Sequence, residues 1–214
     1  VQGGAGGTMA KGKGDFILRD RLQLTLDSAG DSDTVYGRMD LSDFVNAIEK
    51  QALAVKEIYL QVRDPNNASG ASSKTGIWNP FSGLAVAATP GTSSIEYKLC
   101  ATTRAYESLR DVGIGSPDVL YVEEHLYTIN RDSGATGEIA TAIHEFREWP
   151  TRDLHPEGYV LVSDLLIGLA VDDHATEATT WDDALIEIDI MMVVESVSVT
   201  QKMLTNLLTQ AQDV

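Results

Sequence analysis

Between Pro156 and Thr200 the chain reads PEGYVLVSDLLIGLAVDD, then a polar HATEATTW, then DDALIEIDIMMVVESVSVT. In the last run Leu185, Glu187 and Asp189 fall on one side of an extended chain, and Ile186, Ile188 and Ile190 on the other. Alternation at period two over that length specifies a strand with one buried face. From Met191 to Val194 the run turns fully apolar, which predicts that both faces become covered. The first run is apolar at nearly every residue from Leu165 to Val171 and predicts a single strand beginning at Gly158. Two long strands joined by a polar loop fit an antiparallel sheet buried in a sandwich.

The rest of the chain repeats this pattern. Phe16–Asp27 places Leu22, Leu24 and Leu26 on one face, and Thr34–Asp40 is a short second strand. Ser42–Ala54 changes period: Phe44, Val45, Ile48 and Leu53 recur at helical spacing, with Asp40 or Ser42 as a cap, and predict one inserted helix. Val55–Arg63 returns to strand, with Ile58, Leu60 and Val62 on one face. Leu84–Ala88, Ser94–Arg104 and Asp118–Asn130 read as further strands. Glu138–Trp149 fits a helix through Ile139, Ala142, Ile143 and Phe146, and partly a strand through Ile139, Thr141, Ile143 and Glu145. Strand is the expectation, because polar turns set it among strands. Val197–Gln212 predicts a C-terminal helix capped by Ser198 or Thr200. The sum is about eight strands, the count of a jelly roll. The fold class expected is therefore all-β: an eight-stranded antiparallel jelly-roll sandwich with one inserted helix and a short C-terminal helix. Residues 1–14, rich in glycine, read as a flexible arm, and 15–214 as one jelly-roll domain.

Charge narrows the partners. Acidic residues number 32 against 16 basic, a formal charge of −16. A surface of that sign repels phosphates, so direct nucleic-acid binding is not expected. Seven lysines among many Asp, Ser and Thr point to a saline setting where the charges are screened. No run of 18 apolar residues predicts a membrane-crossing helix, and the first residues carry no apolar signal segment.

Chemistry-bearing motifs are sparse. Cys100 stands alone in a strand-like run and reads as a small hydrophobe. The histidines His125, His144, His155 and His174 form no HExxH motif, and the spacing of His125, His144 and His174 shows no convergence on a metal. His125 shares a strand face with Glu123, which reads as a polar surface face rather than an acid–base pair. The DDHATE loop around His174 and the Asp27, Asp31 and Asp33 turn read as solvated acidic segments, without an EF-hand's glycine and distal glutamate. The Gly134–Gly137 turn lacks a phosphate loop's ending, and Ser163-Asp164 lacks the GxSxG frame. No catalytic residue, metal ligand or cofactor is expected, and the chain is not read as an enzyme. The polar stretch Asp64–Pro80 is a long loop of the kind that meets partners, and it holds the one glycosylation sequon, at Asn67.

The flexible arm, the eight strands with a helix after the second, and the closing sequences PEGYVLVSDLLIG and LIEIDIMMVVESVSVT together resemble single jelly-roll capsid proteins of icosahedral viruses. The likeness is to the major capsid proteins of tailless, membrane-containing viruses of halophilic archaea and their bacterial relatives. It implies a structural subunit of the virion that self-assembles into capsomers and an icosahedral shell. Its partners would be itself, a second capsid protein and an underlying membrane. Only Lys11 and Lys13 stand in the arm, unlike the basic arms of capsids that package naked nucleic acid. The alternative is a secreted or cell-surface β-sandwich that binds glycan or protein, with an aromatic site at Trp78, Phe81 or Trp181.

Overall fold

The computed structural model describes residues 14–26, 32–46, 48–63, 91–116, 118–131, 139–150, 160–161, 164–173, 185–203 and 205. Residues 1–13 of the arm, Asn67, His155, His174, Trp78, Phe81, Trp181 and the Leu84–Ala88 strand lie outside them. Nine strands are described: β1 (Phe16–Thr25), β2 (Ser32–Asp40), β3 (Gln51–Arg63), β4 (Gly91–Thr102), β5 (Val119–Arg131), β6 (Ile139–Pro150), β7 (Val160–Leu161), β8 (Asp164–Asp173) and β9 (Leu185–Ser198). They form two antiparallel sheets, ordered β1-β9-β3-β7 and β2-β8-β4-β5-β6. Through β4 the chain alternates between sheets, and it does so again from β7 to β9. This makes a jelly-roll sandwich, with β6 as an added outer strand.

The core lies between the sheets, where alternate residues of each strand meet. Leu18, Leu24, Ile58, Ile186, Ile188 and Ile190 of the smaller sheet pack against Leu99, Leu165, Ile167 and Leu169 of the larger. The alternation read in β9 is therefore the core register. Its apolar end is only partly enclosed: Met192 and Val194 are buried, and Met191 and Val193 are half-buried. β9 lies between β1 and β3, which explains its length and regularity.

Several expectations change. The inserted helix over Ser42–Ala54 is absent. Asp40 Oδ1 accepts the Ser42 N–H at 2.9 Å, and the Phe44 N–H donates to Leu41 O at 3.0 Å, so the chain turns. Asn46 and Gln51 exchange two backbone hydrogen bonds, and the Asn46 side chain accepts the N–H groups of Ile48 and Glu49. Lys50 adopts a φ of 56°, which helical backbone excludes. The helical spacing was accidental: Phe44 packs on Phe16, Leu53 is in strand β3, and Ile48 points outward at 93% exposure.

The single strand expected from Gly158 is two. β7 pairs with β3 and β8 with β2 and β4, so Leu161 and Asp164 already belong to different sheets. β8 and β9 likewise lie in opposite sheets and do not pair. An apolar run records burial, and burial is the same in either sheet. β6 is a strand, as its neighbours implied. At the C-terminus residues 201–203 and 205 are helical, and Thr200 Oγ1 accepts the Met203 N–H at 3.2 Å.

The outer face of the larger sheet carries a cover unseen in the sequence. Residues 103–116 fold over it around a 3-10 turn at Leu109–Asp111, and Leu109 and Val112 bury themselves against Cys100, Val122 and Ala170. Tyr36 clamps this segment: its hydroxyl donates to Tyr106 O at 2.9 Å and accepts the Tyr106 N–H at 2.8 Å. Gly168 sits beneath, where a Cβ would lie 2.5 Å from Leu109 Cδ1 and 2.8 Å from Tyr36 Cε1.

Candidate functional site: a histidine and aromatic row beside the outer strand

The larger sheet is wider than the smaller one. The smaller sheet's last strand, β7, has two residues, so the inner face of β5 and β6 extends past it. Strand register fills this overhang. Tyr97 of β4 pairs with His125 of β5, which pairs with Phe146 of β6; Tyr127 of β5 pairs with His144 of β6. Opposite residues in antiparallel strands share a face, so these five side chains stand together.

Their rings stack. Tyr97 and His125 lie 4.1 Å apart at 11°, Tyr127 and His144 4.0 Å apart at 6°, and His125 and Phe146 4.6 Å apart at 40°. The row grades outward from Tyr97, which is buried, through the half-buried His125 and Tyr127 to the exposed His144 and Phe146. Burial raises the pKa of the Tyr97 and Tyr127 hydroxyls, which keeps both neutral.

A polar chain runs through the row. His125 Nδ1 lies 3.0 Å from His144 Nε2, and His125 Nε2 lies 3.4 Å from Glu123 Oε1. Tyr121 donates its hydroxyl hydrogen to Glu123 Oε2. The contact between the two rings needs one nitrogen to donate and the other to accept, while His125 Nε2 is buried without a hydrogen-bond partner among the described residues. Desolvation, and then the neighbouring His125, lower the pKa of His144.

The sequence expectations fare unevenly here. His125 does share a face with Glu123, but it is the inner face of the larger sheet, where Glu123 is buried and His125 half-buried, rather than a polar surface. His125 and His144 do converge, which spacing alone did not show, because the β5–β6 register was unknown. The described residues contain no group of three or more metal-ligating side chains arranged to hold an ion. Cys100 is fully buried, and desolvation pushes its thiol up to about 12, so it stays a protonated hydrophobe.

Two ion clusters sit on the outer faces. On the smaller sheet Arg21 holds Asp189 at 2.5 Å, and Arg63 bridges Glu187 and Asp189 at 3.5 and 3.6 Å. This buries Glu187, which alternation had placed on the outside. On the larger sheet Lys98 binds Glu124 Oε1 at 3.0 Å and the Arg110 carbonyl at 3.2 Å, and Arg110 holds Asp172 at 2.8 Å. Both clusters are internally neutralised and serve to fasten strands and the 103–116 cover.

No family model and no curated protein matches the chain. Among solved structures it is similar to desmodium yellow mottle tymovirus at 9% identity and a TM-score of 0.28, covering 90% of this chain and 94% of that one. It is similar to VP1 of trichodysplasia spinulosa-associated polyomavirus at 8% identity and a TM-score of 0.31, covering 86% and 96%. Turnip yellow mosaic virus aligns at 9% identity and a TM-score of 0.26, covering 88% and 99%. At such TM-scores these likenesses carry no argument about this chain, and its jelly-roll reading rests on its own strand order.

Proposed function

We propose that this protein is a structural subunit of a viral capsid, which assembles with copies of itself into capsomers and a closed shell. The observation that carries the reading is the strand order: β1-β9-β3-β7 faces β2-β8-β4-β5, with strands of up to 14 residues and a continuous core. Such a body is stiff, and its two ends and outer strands are available for repeated contacts. Shell assembly draws on many modest contacts multiplied by symmetry rather than on one strong site. The ion clusters on both outer faces support a scaffold role, because they fasten neighbouring strands within each sheet.

The finer proposal follows the sequence resemblance: a shell of the tailless, membrane-containing, haloarchaeal type, with a second capsid protein and an underlying membrane as partners. The charge of −16 supports a shell that makes no direct contact with nucleic acid. The arm at 1–14 and the loop at 64–80 would make inter-subunit or exterior contacts. Asn67 would be a modification site on that loop.

Light scattering on purified protein across a salt series tests the proposal. Discrete, large particles that grow as salt rises are expected, since screening removes repulsion between acidic subunits. A monomer at every salt concentration, with or without added membrane vesicles, would turn the reading to a binding module. In that case the exposed His144–Phe146 end of the aromatic row is the place to look for its ligand.

A further inference from the structure

β6 is the last strand of the larger sheet, and among the described residues only β5 pairs with it. Successive residues of a strand point to opposite faces, yet Thr141, Ile143, His144, Glu145, Phe146 and Arg147 are all exposed. The strand is therefore open on both faces as well as along its edge. Its 12 residues contain no lysine, and the only proline is the last residue, Pro150. Edges are ordinarily blunted by such residues or by short length, and an unblunted one is a template for another strand.

We infer that β6 pairs antiparallel with β6 of a second copy of this chain, about a twofold axis through Phe146. Its own charges argue for that occupant. An edge-to-edge antiparallel pair with closed symmetry has its axis perpendicular to the sheet, so opposite residues share a face and one residue meets itself. With Phe146 on the axis, Glu145 stands opposite the partner's Arg147, and Arg147 opposite the partner's Glu145. By sequence the same register sets His144 opposite Glu148 and Ile143 opposite Trp149. An axis through Glu145 or Arg147 sets like charge against like charge. An axis through His144 pairs Glu145 with Ile143 and leaves no opposite charges facing. Within one chain Glu145 and Arg147 lie 3.7 Å apart, both well exposed, so a partner's charges can reach them. The joined sheets would form one continuous sheet of twice five strands, and the row Tyr97–His125–Phe146 would continue across the axis.

This inference deepens the proposed assembly role and rests on it only for the premise that copies of this chain meet. It is tested on the full chain with single cysteines introduced by Phe146→Cys and, as a control, Thr141→Cys. Residue 146 would face itself at a Cα separation of roughly 4.5–5.5 Å, within disulfide range. Under diamide, Phe146→Cys is expected to yield a disulfide dimer on a non-reducing gel, with Thr141→Cys and the unaltered chain staying monomeric. Equal crosslinking at both positions, or none at 146, overturns the inference. Arg147→Glu should abolish dimers seen by sedimentation, and the exchange Glu145→Arg with Arg147→Glu should restore them. Folded exchange variants that stay apart also overturn it. Large particles in light scattering without the 146 crosslink sink the edge contact and leave the shell standing. The crosslink without particles does the reverse.

Discussion

His144 is a side chain whose neighbours bear on the pH dependence of stability. It stacks on Tyr127, faces His125 at 3.0 Å, and has its pKa lowered first by desolvation and then by His125. The groups facing the histidine pair are Glu123 and Tyr127 from β5, Tyr97 from β4 and Phe146 from β6. A histidine with a lowered folded pKa binds its proton more readily when unfolded. The stability it contributes is thus present above its ordinary value near 6.5 and is lost as pH falls from there toward the lower folded value. Urea midpoints measured across that window should fall on acidification. In His144→Phe the fall should be smaller, and an unchanged slope would show that His144 takes no part. At this scale the sequence offered His125 and Glu123 as a face-sharing pair, because period two is local. It could not offer His144, which reaches His125 only through the register of two strands.

Among the elements, the corner between β2 and β3 shows how a local pattern misleads. Four apolar residues at helical spacing suggested a helix, but each sits differently: Phe44 packs on Phe16, Val45 lies half-buried against the core, Leu53 belongs to β3, and Ile48 faces solvent. The deciding residue is Asn46, whose side chain accepts two N–H groups while its backbone closes on Gln51. Side-chain bonds of this kind compete with helix, which is why Asn favours turns. Asn46→Ala should destabilise the fold by about 1 kcal/mol, the scale of a lost cap-like bond. Chemical denaturation would show this as a lower midpoint with an unchanged slope. A gain in stability and helical circular dichroism would mean that the corner prefers the helix its spacing suggested. β7 and β8 teach the complementary lesson. Their apolar residues read as one strand, and only the pairing of Leu53 with Leu161 and of Asp40 with Asp164 separates them into two sheets.

At the scale of the whole molecule, net charge acts against the fold. With 32 acidic and 16 basic residues, long-range repulsion is uncompensated, and the contact pairs at 2.5–3.6 Å on the smaller sheet hold only their own partners. Raising salt from 0.1 to 1 M shortens the screening length from about 10 Å to about 3 Å. That removes the distant repulsion more than the contact attraction. The thermal midpoint of dilute, unassembled chain should therefore rise with salt, and a fall would show that the ion clusters outweigh the net charge. The all-β class, the inward face of β9, the hydrophobic role of Cys100 and the net acidic charge were legible in the chain itself, because periodicity, burial and charge are properties of residues and their near neighbours. Only the tertiary pairing sets which strands share a sheet, the turn in place of a helix, the cover that Leu109 and Val112 make over the larger sheet, the meeting of His125 with His144 and the open edge of β6. Each of these depends on the pairing of residues far apart in the chain, and an apolar run is satisfied by any sheet that buries it.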